Sequence, residues 1–369
     1  MTGRAELHTW LPGPLDRDME RAVERLLRTE GVAHVALMPD AHLAEDVCVG
    51  TVLASEDRVF PDAVGGDIGC GMRALALDVQ ADAIDRQAAA DILNGLHARV
   101  PILKHARGPE RALPPAPPAL RKRAEREGRV QLGTLGRGNH FLELQRDEGG
   151  GLWVMIHTGS RGLGPAIRAA HRDHAERTST GLAFLPAGDP RCDAYLAEAA
   201  WARAWARESR AVIEEEVVAI LGDVLGARPV EDTRIDVDHN HVQRETHLGR
   251  SLFVHRKGAM HAPEGELGVI PGSMGTSSHH VEGRGHGPAL ASCSHGAGRA
   301  MSRSEARRRI ATKKLYAETE GVFFDHRIAR RLREEAPSAY KDIDAVMRAQ
   351  RELVKVRRTL SPVLVYKGA

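Results

Sequence analysis

Residues 64–72 read VGGDIGCGM, and the reading of this stretch governs the rest of the chain. Asp67 and Cys70 are both metal ligands by type, and Gly65, Gly66, Gly69 and Gly71 let the backbone fold back around them. A tight turn, with the aspartate capping an amide and the cysteine acting as a small buried hydrophobe, is the competing description. Six further phrases of the same character surround it: MPDAH (38–42), GTLGRGNHF (133–141), HTGSRGLG (157–164), DVDHN (236–240), PGSMG (271–275) and SHGAGRAMSR (294–303). Histidine beside glycine is unusual in a packed core, because glycine brings no side-chain packing and costs backbone entropy. Several such loops meeting at one point would make an active site.

The chain around these phrases is ordinary for a globular protein. Its 369 residues are 42% hydrophobic and 28% charged, enough for a large core. A net charge of +2 excludes a blanket nucleic-acid coat and leaves phosphate attraction to local patches, of which the basic C-terminal third is the richest. Cysteines 48, 70, 192 and 293 show no framework spacing and no CxxC, which points to a reducing cytoplasm. The first residues lack a signal-peptide apolar run, and nothing approaches an 18-residue membrane span, so a soluble, non-membrane protein is expected.

Periodicity predicts a mixed α/β (α+β) fold. DRDMERAVERLLR (16–28) has helical spacing and gives way to VAHVALMPDAH (32–42), a strand expected to end near Asp40 and His42 in a loop at a sheet edge. A helix is predicted over 81–99. Residues 106–130 read as a surface connection, breaker-rich GPERALPPAPP followed by a charged helix LRKRAEREGRV. FLELQ (141–145) and LWVMIH (152–157) predict a hairpin across a glycine-rich turn, and 193–225 carry the longest helical pattern, with Trp201 and Trp205 as packing residues. No repeat or low-complexity linker divides the chain, so a single domain over 1–369 is expected.

Most single histidines need no functional account: His171, His174, His255, His261, His280 and His286 are assigned to solvent or to satisfied core positions. HRDH (171–174) offers a pair one helical turn apart but no third ligand nearby. The ordered set of phrases is different. Together with HRKGAMHAPEGELGVIPGSMG, SAYKDID (338–344) and the terminal LVYKG, it resembles the RtcB family of RNA ligases over about residues 31 to 368.

That resemblance implies a single complex RtcB-like domain and two Mn(II) ions bridged by Cys70, with Asp67 and His140 completing one site and His157 and His239 the other. His241, two residues on, is taken to lie on the opposite strand face, and the family phrase ends in His-Asn, which matches His239 and Asn240, so His241 is set aside. Thiolate, carboxylate and three imidazoles offset much of the charge of two dications, although such ligands alone do not select manganese. The resemblance further implies that His295 attacks the α-phosphate of GTP, with Asp40 accepting the proton on its other nitrogen. Asn139, Phe141, Glu143, Ser273, Ser278, Tyr340 and Lys367 would hold the nucleotide. Arg161, Arg299 and Arg303 would hold RNA phosphates or the leaving pyrophosphate, the last two placed one helical turn apart.

The implied activity joins RNA 2′,3′-cyclic phosphate or 3′-phosphate ends to 5′-hydroxyl ends, with GTP as co-substrate and an Archease-type activator as a further partner. The rival readings are a two-metal RNA-end phosphodiesterase that does not use GTP and a non-catalytic RNA-end-binding protein; the presence of the nucleotide phrases and of His295 weighs against them. Departures from the family pattern fall at Ala44, Glu45 and Asp46, where a flexible loop is usual, at His279 and at Ser209.

Overall fold

The computed structural model describes residues 4–368, and its mixed α/β architecture is built on two large sheets. The first has five strands in the order Glu6–Thr9, Val32–His42, Val49–Ser55, Arg250–Lys257, Asn240–His247. The second runs Pro229–Asp238, Gly71–Gln80, Gly151–Thr158, Phe141–Asp147, Val354–Lys367, Ser278–Gly283, Leu267–Ile270, with Phe323–Phe324 paired to the side of Val354–Lys367. Side chains alternate across a strand, so each sheet offers two faces. Met38, Val52 and Val254 of the first sheet pack with Ile270, Val281 and Val354 of the second to form the core between them.

The other face of the second sheet is covered by helices. Leu142, Leu144, Val154 and Ile156 meet Ile92 and Leu96 of the helix Arg86–Arg99 and Ile213, Val217 and Ile220 of the helix Pro190–Leu225. The latter is the long helix predicted from 193–225. Asp189 caps its start by accepting from Arg191 N, and Gly226 ends it in the left-handed region at φ 68°. Trp201 and Trp205 are buried on it, as packing residues.

Three expectations need correction. The strand Val32–His42 ends where it was expected to, but Asp40 lies within it and is fully buried rather than delivered to an edge loop. Pro39 is tolerated because the neighbouring strand pairs only as far as Leu37, so no ladder partner awaits its missing N–H. The 81–99 helix begins at Arg86: Asp85 accepts from Ala88 N at 2.8 Å and caps it there, leaving a single 3-10 turn at Ala81–Ala83. The 120–130 stretch is helical but irregular, with a five-residue π turn at Ala124–Gly128. It has no side-chain cap, and Gly128 weakens its interior.

Candidate active site

The VGGDIGCGM loop is clamped rather than free. Gly69 N donates to Asn240 O at 2.8 Å, and His239 N donates to Cys70 O at 2.9 Å. Arg210, fully buried on the long helix, donates to Gly69 O at 3.0 Å and Thr158 O at 3.1 Å while pairing with Asp236 at 2.7 Å. Gly69 sits at φ 72°, where a Cβ would come within 2.8 Å of the helix backbone at Arg203; only glycine lets the loop lie against that helix. Asn240 ties the loop to the next one, donating to Asp67 O at 3.0 Å and accepting from Gly258 N at 2.7 Å.

On this frame Asp67, Cys70 and His140 converge, and so do Cys70, His157 and His239, each trio with donor atoms within 4.8 Å of one another. His140 Nε2 lies 2.8 Å from Asp67 Oδ2 and 3.5 Å from Cys70 Sγ. His157 Nε2 lies 3.2 Å from Cys70 Sγ and 3.3 Å from His239 Nε2. The opposite nitrogen of His157 donates to Asn139 O at 3.0 Å, which fixes the tautomer and leaves Nε2 with its lone pair turned on the thiol. Asp67 Oδ1 is buried without a partner.

This donor set fits divalent cations. Burial, reinforced by Asp67, pushes the Cys70 thiol well above its ordinary range, and burial drives His157 and His239 well below theirs. Burial opposes ionisation of Asp67, but His140 and Cys70 hold it below the usual carboxylate value. Neutral imidazoles at His157 and His239, an ionised carboxylate at Asp67 and a buried thiol that resists losing its proton make a site suited to positive charge.

The strand-face argument for His239 over His241 does not hold. Residues two apart share a face of a continuous strand. Here the chain leaves one strand at Asp238 and enters the next at Asn240, so His239 occupies the corner. His241 points into a buried network, with Asp238 on one nitrogen and Arg256 at 3.2 Å from the other.

His295 lies beside the metal-type cluster, its ring centroid 4.8 Å from that of His239. Its Nδ1 is 2.6 Å from Asp40 Oδ2, a close but poorly aligned contact, and its backbone N–H donates to the same oxygen at 3.2 Å. Both histidines open on a cavity of about 600 Å³. Asn139, Phe141, Glu143, Ser273, Ser278, Tyr340 and Lys367 line it as well.

Strand register explains how two distant chemistries share one cavity. Met72 pairs with His157, His157 with Phe141, and Phe141 with Lys367, one row across four adjacent strands. Neighbouring strands are about 4.8 Å apart, so the cluster and Lys367 are separated by about two such steps. Lys367 Nζ sits 5.4 Å from the centre of the Phe141 ring. Glu143 is buried on the same face, one pleat along; burial raises its carboxyl to about 8 against the opposing pull of Gln145 and Lys367.

Sequence reading missed Glu335. It is 3% exposed, accepts from Tyr340 Oη at 2.5 Å and pairs with Lys367 at 2.8 Å, so it holds both residues in place. Its one signal was position, five residues before Tyr340 in a stretch without glycine or histidine. Lys257 and His42 were missed at the other end of the cavity; burial lowers Lys257 to about 8 and His42 to about 4.

Arg299 and Arg303 line the same cavity and both reach Glu335, while Arg161 lies outside the lining. Ser302 caps a helix that starts only at Arg303, so Arg299 and Arg303 do not share a helical turn. Arg299 is tied to Met301 O, Glu334 O and Tyr340 Oη. Arg161 is turned inward, 3.3 Å from His140 Nδ1 and 3.4 Å from Ile102 O. Arg303, 40% exposed at the cavity, is the most accessible of them.

Of the departures, Asp46 adopts φ 62° and is pinned by Arg168 and Arg172, while Lys257 donates to Glu45 O at 3.0 Å. The rim loop is therefore tethered. Ser209 accepts from Gly133 N at 3.0 Å and supports the loop leading to His140. His279 is buried outside the cavity lining.

The family model described as tRNA-splicing ligase RtcB matches residues 23–113 and 103–368. The chain belongs to the RtcB family. Among RtcB relatives, the RNA-splicing ligase RtcB of Escherichia coli is 36% identical over 411 residues, covering 100% of this chain and 98% of its own. The RNA-splicing ligase RtcB of Mycobacterium tuberculosis is 31% identical, covering 99% and 85%. The tRNA-splicing ligase RtcB of Archaeoglobus fulgidus is 30% identical, covering 96% and 92%. Among the described residues, no helix is long and apolar enough to cross a membrane.

Proposed function

We propose that this RtcB-family protein is an RNA ligase that joins 3′-phosphate or 2′,3′-cyclic phosphate ends to 5′-hydroxyl ends at the expense of GTP. The observation that supports the reading is one cavity lined by His295, by His157 and His239 of the Cys70-centred cluster, and by the Phe141–Glu143–Lys367 face. Domain limits of 1–369 follow from the same reading, since the site draws residues from Asp40 to Lys367.

His295 is the nucleophile. Asp40 holds its Nδ1–H, leaving the Nε2 lone pair to attack the α-phosphorus of GTP; a P–N bond forms, the α–β P–O bond breaks and pyrophosphate departs. An oxygen of the RNA 3′-phosphate, freed by water where the end is cyclic, then takes GMP from the histidine. The 5′-hydroxyl attacks the activated phosphate, and GMP leaves. Asn139 lies beside both ligand and nucleotide positions, its carbonyl fixing the His157 tautomer.

Asp67, Cys70 and His140 would hold one cation, and Cys70, His157 and His239 the other. When bound, two such ions supply positive charge to phosphoryl oxygens that gain negative charge during transfer. Manganese is the ion the resemblance favours. Glu143 and Lys367 would read the guanine edge, Phe141 and Tyr340 would flank the base, and Ser273 and Ser278 would meet the phosphates. Arg303 is the best placed for RNA phosphate. Four free, buried cysteines suit a reducing cytoplasm, and an Archease-type protein is the proposed activator.

The test is incubation with Mn(II) and α-labelled GTP, followed by denaturation. An acid-labile, alkali-stable label on the protein, absent from His295→Ala, is expected. No label on a chain that carries two metals, even with an Archease-type activator added, would overturn the GTP-dependent reading.

A further inference from the structure

Far from the cavity, Glu6, His8 and His34 bring a carboxylate and two imidazoles within 4.8 Å of one another. Glu6 and His8 share a face of the edge strand Glu6–Thr9, which pairs in parallel with Val32–His42, Glu6 opposite His34. His34 is 3% exposed, and its Nε2 lies 2.8 Å from Pro288 O. A carbonyl oxygen only accepts, so Nε2 carries the proton and Nδ1 keeps its lone pair. That Nδ1 is buried, has no hydrogen-bond partner and faces Glu6 Oε2 at 3.7 Å. His8 Nε2 meets the other oxygen of Glu6 at 2.7 Å.

A lone pair turned on a carboxylate is a repulsion that a cation between them removes. A backbone carbonyl on the far nitrogen is also the usual support behind a metal-bound imidazole. We propose that Glu6, His8 and His34 form a separate site for a first-row divalent cation of zinc type, which favours imidazole and carboxylate ligands. The rings of His8 and His34 are stacked, 4.9 Å apart and 16° from parallel. Ligation by both therefore requires His8, the partly exposed member, to turn its ring onto the ion.

Position gives the ion a structural task. It would tie the edge strand to Val32–His42, the strand that carries Asp40. Through Pro288 O, His34 also reaches the turn Gly287–Ala289, which leads into Ser292–Ser294 and His295. The cation braces the Asp40–His295 pair from behind.

Cobalt(II) is the probe. In a Cys70→Ala/His239→Ala chain, which lacks the central thiol, elemental analysis after dialysis is expected to find about one cobalt per chain, lost on adding Glu6→Gln and His8→Ala. Equal cobalt with and without those two changes overturns the site, as does no cobalt in the first chain, which would leave a protonated His34–Glu6 pair. Should the Cys70→Ala/His239→Ala chain not fold, the parent loaded with manganese serves instead. Zinc should then raise the melting temperature of the parent by more than that of His8→Ala; equal shifts, or none, overturn the proposal.

Discussion

Glu143 makes the nucleotide pocket sensitive to pH in a way that can be calculated. Its carboxyl is buried and raised from an ordinary 4.5 to about 8, with only the Gln145 amide at 2.7 Å and the charge of Lys367 opposing the shift. A guanine edge offers N–H donors and so needs the ionised carboxylate. At pH 7 only about a tenth of the free protein would carry it, so GTP binding should be about tenfold weaker than its plateau above pH 8, and about a hundredfold weaker at pH 6. Affinity therefore rises with pH. The ligand-free fold responds in the opposite sense: a raised acid contributes stability fully below 4.5 that is lost as pH rises through about 8, so the melting temperature should fall over that interval. The assay is equilibrium binding of a GTP analogue uncleavable between the α and β phosphorus atoms, with Mn(II), from pH 6 to 8.5, alongside Glu143→Gln. A flat profile in the parent, or the same slope in Glu143→Gln, would refute the reasoning.

Three further outcomes follow from the site. Cys70→Ala removes the one ligand common to both trios, and bound manganese by elemental analysis should fall from two per chain to none, with loss of GMP transfer; two tightly held manganese ions would contradict the shared thiolate. Asp40→Asn replaces a charge-assisted contact with a neutral one and leaves an amide nitrogen where Asp40 Oδ1 is already unpartnered. Guanylylation in a single turnover should slow by about 10- to 100-fold, and a change under about twofold would remove Asp40 from the reaction. Glu335→Gln leaves Lys367, 4% exposed at its side chain, without its counter-charge. It should cost about 3–5 kcal/mol in urea unfolding and weaken GTP binding together, whereas unchanged stability would show that the pair is dispensable.

What could be read from sequence was local. VAHVALMPDAH coincides with its strand, the FLELQ and LWVMIH runs form adjacent strands, and the long helix lies where its periodicity put it. The glycine-rich phrases announced themselves because their composition is a poor way to fill a core. What escaped was relational. Arg210 and Glu335 sit on unremarkable helical stretches, and only the fold reveals that one clamps the metal-type loop while the other holds Tyr340 and Lys367. Arg299 and Arg303 were placed one helical turn apart by their spacing, yet the helix begins only after Ser302, and it is the cavity wall and Glu335 that bring the two together. Asp40 was expected in a loop because the apolar run turns polar after Pro39, but the strand continues to His42 and buries the carboxylate.

The row from Met72 through His157 and Phe141 to Lys367 has a consequence for how this family can vary. Its spacing is measured across paired strands, not along the chain, so the connections between strands can lengthen or shrink without moving one reaction centre against the other. The alignment with the Escherichia coli relative spans 411 positions on a chain of 369 residues, and so contains gaps. Chain length is free to drift in such an enzyme, while a single inserted residue within one of those four strands would turn its contribution to the opposite face of the sheet.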